Sequence, residues 1–289
     1  MNWRGRQRFP AMLRVAVCWS VLLGSIPCLA SDLSIQPVRE GWENASLKDV
    51  EAVLVSAAEP LWKAAGSPAL PVIRVEATGG PMVLHRRDAD GAIRVRLAVQ
   101  GRHWSQLAYQ FSHEFAHILC GFDPAHQSHL WLEEAACEAA SLFALRHMAK
   151  SWSQDKDSTW ASYAPHLKSY SDALIEESAL ESPDNFRSWY GRHKERVQEN
   201  PDDRKLLRVI SLEWLRLLEE DPRGWRALRY LNQGDHPAGE SLTDAFRRWR
   251  KHCPEKDRQQ VDRIMRLLID SGEITPGAAD VDSREPAGS

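Results

Sequence analysis

The chain has 289 residues, 43% of them apolar, which is enough for one sizeable hydrophobic core. Its charged residues are mixed in sign, sum to a net charge of −3 and form no long basic block. This composition is typical of a globular protein and argues against nucleic acid as a partner.

The first 30 residues resemble a secretory signal peptide in composition. Arginines at positions 4, 6, 8 and 14 precede an apolar run over residues 15–26, which is too short for a comfortable membrane span. Small residues at Cys28 and Ala30 suit a signal peptidase. We predict cleavage near Ala30, a mature net charge of −7, a secreted or periplasmic location, and no stable membrane span after cleavage. An uncleaved N-terminal anchor is the alternative.

Three cysteines remain after such cleavage, namely Cys120, Cys137 and Cys253. An odd number allows at most one disulfide bond within the chain. Cys120 and Cys137 flank the motif described below and could pair in an oxidising compartment. The slightly favoured interpretation is that both are buried, small apolar residues.

The chain begins its fold with a predicted helix over residues 46–65, where Ser46 can cap apolar positions at helical spacing. Strands are predicted over residues 71–76, 82–85 and 93–99. The sequence Asp88-Ala89-Asp90-Gly91 indicates a hairpin turn before the last of them. We therefore expect a small antiparallel sheet.

The pattern becomes helical from Trp104 onward, with predicted helices over residues 104–119 and 130–150. Further helices are predicted over residues 166–181, 183–197, 202–219, 222–231, 241–252 and 255–271. The class is α+β, with a core over residues 31–150 and a helical subdomain over residues 151–272. The tail over residues 273–289 is rich in Pro, Gly, Asp and Ser, and we predict that it is disordered.

The first of these two helices carries the sequence His113-Glu114-Phe115-Ala116-His117. Histidines four residues apart lie on one helical face and can hold one zinc ion at about 2.0–2.1 Å each. Zinc lowers the pKa of a bound water to about 7, and Glu114 is placed to accept its proton. The residues thus predict a Zn²⁺ site with Glu114 as general base.

A catalytic zinc ion needs a third protein ligand. Glu134 on the following helix is favoured, and the alternatives are Asp123 and a nearby histidine, His126 or His129. Glu138 lies one turn after Glu134 and could accept a hydrogen bond from a zinc-bound histidine. The competing interpretation is that these glutamates form a solvated helix face, although the helix around them is mostly apolar.

The segments HEFAH and WLEEAACE resemble the gluzincins, zincin metallopeptidases whose third ligand is a glutamate on the next helix. The resemblance covers about residues 93–142, with Ala135 where the family has glycine. It implies His113, His117 and Glu134 as ligands, Glu114 as base and Glu138 as a supporting carboxylate. It also implies that the strand over residues 93–99 is the sheet edge that pairs with an extended peptide.

Two departures from the gluzincin pattern concern the oxyanion donor and the third ligand. Gluzincins supply a Tyr or His that stabilises the oxyanion, and no motif identifies it here. Tyr190 is the favoured candidate, and the alternatives are His193, Tyr163, His166 and Tyr170. A metzincin-like arrangement would instead use Asp123 as the third ligand, but the glycine before it is displaced by one position and no Met-turn follows.

The sequence thus predicts an exported zinc metallopeptidase that acts on a peptide or protein. Two other functions fit the same residues. One is a non-catalytic envelope binding or assembly protein on a zincin scaffold, and the other is a zinc amidase that acts on a cell-wall amide.

Overall fold

The computed structural model describes residues 33–121, 129–179, 186–201 and 203–269. Its strands are β1 (Ile35–Pro37), β2 (Ile73–Glu76), β3 (Met82–Leu84) and β4 (Ile93–Arg96). Its helices are α1 (Leu47–Ala64), α2 (Trp104–Leu119), α3 (Leu130–Gln154), α4 (Ala164–Ala179), α5 (Phe186–Glu199), α6 (Arg204–Glu220), α7 (Gly224–Leu228), α8 (Leu242–His252) and α9 (Glu255–Leu268). The predicted signal peptide, the predicted tail, Asp123 and His126 lie outside the described residues.

The predicted α+β class is confirmed: a small four-stranded sheet is followed by a mostly helical part. The prediction of an antiparallel sheet is wrong, because the sheet is mixed. Its order is β1-β2-β4-β3, with β1–β2 and β2–β4 parallel and only β3–β4 antiparallel. The predicted hairpin turn joins β3 to β4, and Gly91 adopts a positive φ of 85° there. The hairpin returns β4 between β2 and β3, which leaves β3 at the edge.

The two faces of the sheet differ in polarity. Ile73, Val75, Ile93 and Val95 are buried in the core, next to the buried side of α1. The residues between them are charged and form ion pairs across the opposite face: Arg74 with Asp88 and Asp90, and Arg94 and Arg96 with Glu76. This alternation with period two fixes the register of the strands.

Helices α2 and α3 lie at the centre of the fold. Helix α2 contacts α1, α3, α4 and β3, while α3 contacts α1, α2, α4 and α6. Neighbours on several sides bury most residues of both helices, including polar ones. The predicted bounds of α2 are confirmed, and α3 begins as predicted but extends four residues further. No helix among the described residues combines the length and apolarity needed to span a bilayer.

The later helices follow the predicted order, with shifted ends. The largest change concerns the predicted helix over residues 222–231, of which only α7 is helical. Side-chain caps explain two of the observed starts: Asp203 accepts from the N–H of Leu206, and Ser241 accepts from the N–H of Asp244.

Candidate metal centre

The imidazoles of His113 and His117 are buried on the same face of α2, with ring centroids 5.0 Å apart. Glu134 approaches both of them from α3. One carboxylate oxygen lies 3.0 Å from His113 Nε2, and the other lies 3.4 Å from His117 Nε2. Two ligand atoms that each lie about 2.0–2.2 Å from a tetrahedral zinc ion are about 3.3–3.6 Å apart. Both distances are of the size that separates two ligand atoms of one metal ion.

Cys137 lies one turn after Glu134 and belongs to the same cluster. The ligand atoms of His113, His117 and Cys137 all lie within 4.8 Å of one another, and all three residues are buried. A thiolate is a good zinc ligand, so the described residues include a His/His/Cys group that could hold a metal ion. This ligand was not among the three predicted alternatives.

Cys120 and Cys137 are free thiols in the structure and are both fully buried. They lie in hydrogen-bond contact with each other. The hydrogen bond lowers the pKa of Cys120, but burial and the nearby carboxylates outweigh it, so the net shift is upward. Burial and the contact with Cys120 raise the pKa of Cys137 well above its usual value. The structure therefore agrees with the favoured interpretation of these residues as buried thiols.

His117 also has a carboxylate partner on its other ring nitrogen. Glu133 lies 2.7 Å from His117 Nδ1, and Asn232 donates its side-chain N–H to the second oxygen of Glu133 at 2.6 Å. An Nδ1–H that donates to Glu133 leaves the lone pair of Nε2 facing the cluster, which is the tautomer a metal requires. Burial alone would lower the pKa of His117, but Glu133, Glu134 and Glu114 together raise it.

This supporting role was predicted for Glu138, and the structure corrects the prediction. Glu138 is buried and accepts hydrogen bonds from the hydroxyl of Tyr109 and, at 2.8 Å, from Arg208 Nε. Helix α3 runs antiparallel to α2 along these contacts. Residues later in α3 than Glu134 therefore lie beside earlier residues of α2, and Glu138 lies beside Tyr109 rather than beside His117. Glu138 thus ties α2, α3 and α6 together one turn from the metal-ligand candidates.

His113 has fewer hydrogen-bond partners than His117 among the described residues. Its Nε2 contacts Glu134, but its Nδ1 is buried without a hydrogen-bond partner among the described residues. Burial raises the pKa of Glu134, but the hydrogen bond from His113 and the nearby histidines outweigh burial, so the net shift is downward. The carboxylate therefore stays ionised beside the two imidazoles.

Glu114 is buried between the histidines and the sheet. Its carboxylate accepts a hydrogen bond from the backbone N–H of Val83 in β3. This N–H therefore points away from β4, the strand that pairs with β3, and lies on the outer edge of the sheet. Burial raises the pKa of Glu114, although the two histidines oppose this effect. The edge strand beside the site is thus β3. The strand predicted for this role, over residues 93–99, contains β4, which lies between β2 and β3.

The predicted oxyanion candidates lie in other packing environments. Tyr190 is buried and packs against Trp131 and Phe186. His193 bonds the carbonyl of Trp189. The hydroxyl of Tyr163 accepts from the backbone and side chain of Ser105, His166 packs against Tyr163, and Tyr170 packs against Tyr109. His129, a ligand alternative, contacts the carbonyl of Glu240.

Asn232 and Arg208 were not predicted from the sequence. Asn232 is 99 residues from Glu133, and Arg208 is 70 residues from Glu138. No local pattern marks either residue, because each acts through a contact that only the packed helices create. Comparisons of the chain with family models, curated proteins and solved structures gave no match.

Proposed function

We propose that this chain is a zinc-dependent hydrolase of peptide bonds, with His113, His117 and Glu134 as the metal ligands. The observation that carries this proposal is the position of the Glu134 carboxylate, 3.0 and 3.4 Å from the two Nε2 atoms. Glu114 adds a buried carboxylate on the same helix. The set of residues matches the requirement of a catalytic zinc site for three protein ligands and a neighbouring base.

The proposed chemistry needs a base that can take up and release a proton. When bound, zinc would supply an activated water and polarise the carbonyl under attack. Glu114 would accept the proton of the water and pass it to the leaving amine. Its raised pKa favours this cycle, because a base is most effective when its pKa approaches the working pH.

The outer edge of β3, which pairs with no strand among the described residues, supports a peptide as the substrate. An extended peptide can add to a sheet edge through main-chain hydrogen bonds, which recognise the backbone whatever its side chains. Val83 places that edge in contact with Glu114. A peptide bound there would have its backbone beside the base, and the predicted signal peptide would place this activity in the periplasm or outside the cell.

The test combines metal content with cleavage of a peptide mixture by the protein that begins at Ser31. We expect one tightly bound zinc ion per chain and peptide cleavage that a chelator abolishes. Glu114→Gln should retain zinc and lose cleavage, whereas Glu134→Gln should lose zinc as well. Full cleavage by Glu114→Gln, or a purified protein that cannot be loaded with zinc, would contradict the proposal.

Cys137 favours one alternative, a metal that only stabilises the fold. If Cys137 joined both histidines and Glu134, four protein ligands would close the site and leave no position for water. Cobalt substitution distinguishes the two sites, since a thiolate ligand adds charge-transfer absorption in the near ultraviolet. The peptidase proposal expects Cys137→Ala to keep both zinc and cleavage, and the structural alternative expects it to lose zinc.

A further inference from the structure

A small cleft lies between β3 and the C-terminal end of α2, next to the candidate metal centre. It has a volume of about 160 Å³ and is lined by Val83, Leu84, His85, Arg87, Ile118 and Gly121. Whole-ligand pockets usually measure about 300–1,000 Å³, so this volume suits a single side chain or terminal group. We refer to it as the β3 cleft.

Two lining residues of the β3 cleft connect it to residues of the candidate metal centre. Val83 donates its N–H to the Glu114 carboxylate, and Ile118 directly follows His117 on α2. A peptide that ran along the outer edge of β3 would therefore place a side chain or its terminus near this cleft.

The charge of the β3 cleft is one-sided. Its described lining contains the guanidinium of Arg87 but no carboxylate. The acidic residues nearest to Arg87 in the chain, Asp88 and Asp90, are paired with Arg74 on the polar face of the sheet. Arg87 is exposed and forms no ion pair within the described part of the chain. Its guanidinium therefore remains available to a group that enters from solvent.

We propose that the β3 cleft is a substrate subsite for a carboxylate, with Arg87 as the residue that recognises it. A guanidinium holds a carboxylate through two parallel hydrogen bonds, while Val83, Leu84 and Ile118 would contact the aliphatic part of the bound residue. The carboxylate could belong to an Asp or Glu side chain or to the C-terminus of the peptide. This inference rests on the proposed peptidase function and adds the substrate class to it.

The test uses matched peptides that carry Glu, Gln or Lys at one position, scanned on both sides of the cleaved bond. Each peptide is made with a free and with an amidated C-terminus, which separates a side-chain carboxylate from a terminal one. We expect the zinc-loaded protein to favour the carboxylate in kcat/KM by about 5- to 30-fold, as for a partly exposed charged hydrogen bond. Raising the salt concentration should reduce this preference.

Arg87→Ala should abolish the preference, and Arg87→Glu should reverse it in favour of Lys. The matched control is Arg86→Glu, which makes the same change of charge at an adjacent exposed residue outside the cleft lining. Equal kcat/KM for Glu, Gln and Lys peptides in the unmodified protein would overturn the proposal. An equal effect of Arg86→Glu and Arg87→Glu would also overturn it, because the preference would then reflect net charge alone.

A binding measurement separates this proposal from the peptidase function. Calorimetric titration of the Glu114→Gln variant with the same peptides reports recognition without cleavage. If the unmodified protein cleaves no peptide but still binds carboxylate peptides through Arg87, the peptidase proposal is wrong and the proposed carboxylate subsite is supported. If peptides are cleaved but neither cleavage nor binding depends on Arg87, the cleft proposal fails alone.

Discussion

The contact between Glu133 and His117 leads to a prediction about metal affinity. Glu133 is 4% exposed and accepts hydrogen bonds from two donors, His117 Nδ1–H at 2.7 Å and the Asn232 amide at 2.6 Å. In Glu133→Gln, the amide oxygen can still accept from His117 Nδ1–H, while the new N–H group faces Asn232, whose amide can turn to offer its oxygen. The substitution therefore keeps the shape of the side chain but removes the charge of the acceptor that His117 Nδ1–H uses.

The expected loss of zinc affinity follows from the position of the contact between Glu133 and His117. Loss of the carboxylate that orients a zinc-bound histidine typically weakens metal binding about 10- to 100-fold, which is about 1.4–2.7 kcal/mol. We expect Glu133→Gln to lie in this range, because the contact with His117 is buried and no other described carboxylate contacts His117 Nδ1. Competition with a chelator of known zinc affinity measures the effect.

Two further variants make the test specific. Glu138→Gln is the matched control, since Glu138 is equally buried on the same helix but contacts Tyr109 and Arg208 instead. Its zinc affinity should change less than that of Glu133→Gln. Adding Asn232→Asp to Glu133→Gln should restore part of the lost affinity, because a carboxylate at position 232 accepts the new amide N–H strongly and holds the amide oxygen towards His117 Nδ1. Equal loss in both glutamate variants, or unchanged affinity in Glu133→Gln, would refute the reasoning.

Two other predictions concern stability and the thiols. Arg208→Leu leaves Glu138 buried without its cation and should lower the free energy of unfolding by about 3–5 kcal/mol. Thermal unfolding should show this as a decrease of about 6–20 °C in Tm. The control Arg216→Leu, on the exposed side of α6, should lower the free energy of unfolding by less than about 1 kcal/mol. Cys120 and Cys137 should react with dithionitrobenzoate only after unfolding, because both are buried with raised pKa values. Failure of either thiol to react in the unfolded, unreduced protein would instead indicate a disulfide bond.

The sequence predicted the centre of the site well because its information is local. Helical spacing defined α2 to the residue, and spacing of four placed His113 and His117 on one face. Glu134 was predictable as well, because a helix that follows α2 after a short connection can return a carboxylate to it. The favoured ligand alternative is therefore the one whose side chain the structure brings to both histidines.

The sheet order and the supporting carboxylate could not be predicted in the same way. Strand spacing along the chain does not reveal that β4 lies between β2 and β3, since this depends on how the hairpin packs. Likewise, Glu134 and Glu138 share one side of α3, about 40° apart, while Glu133 lies about 100° from Glu134 around the helix. Which of them reaches His117 Nδ1 depends on how α3 crosses α2, and the antiparallel crossing assigns Glu133 to His117 Nδ1 and Glu138 to Tyr109.

Two contacts connect the C-terminal part of the chain to the candidate metal centre. Arg208 of α6 neutralises Glu138, which holds α3 against Tyr109 of α2, one turn from His113. Asn232, after α7, fixes the carboxylate that orients His117. A metal site tolerates errors of only a few tenths of an ångström in ligand position, and side chains are held that closely only when their neighbours are fixed too. The chain after α3 therefore contributes to the geometry of the site, although His113, His117, Glu134 and Cys137 all lie on α2 and α3.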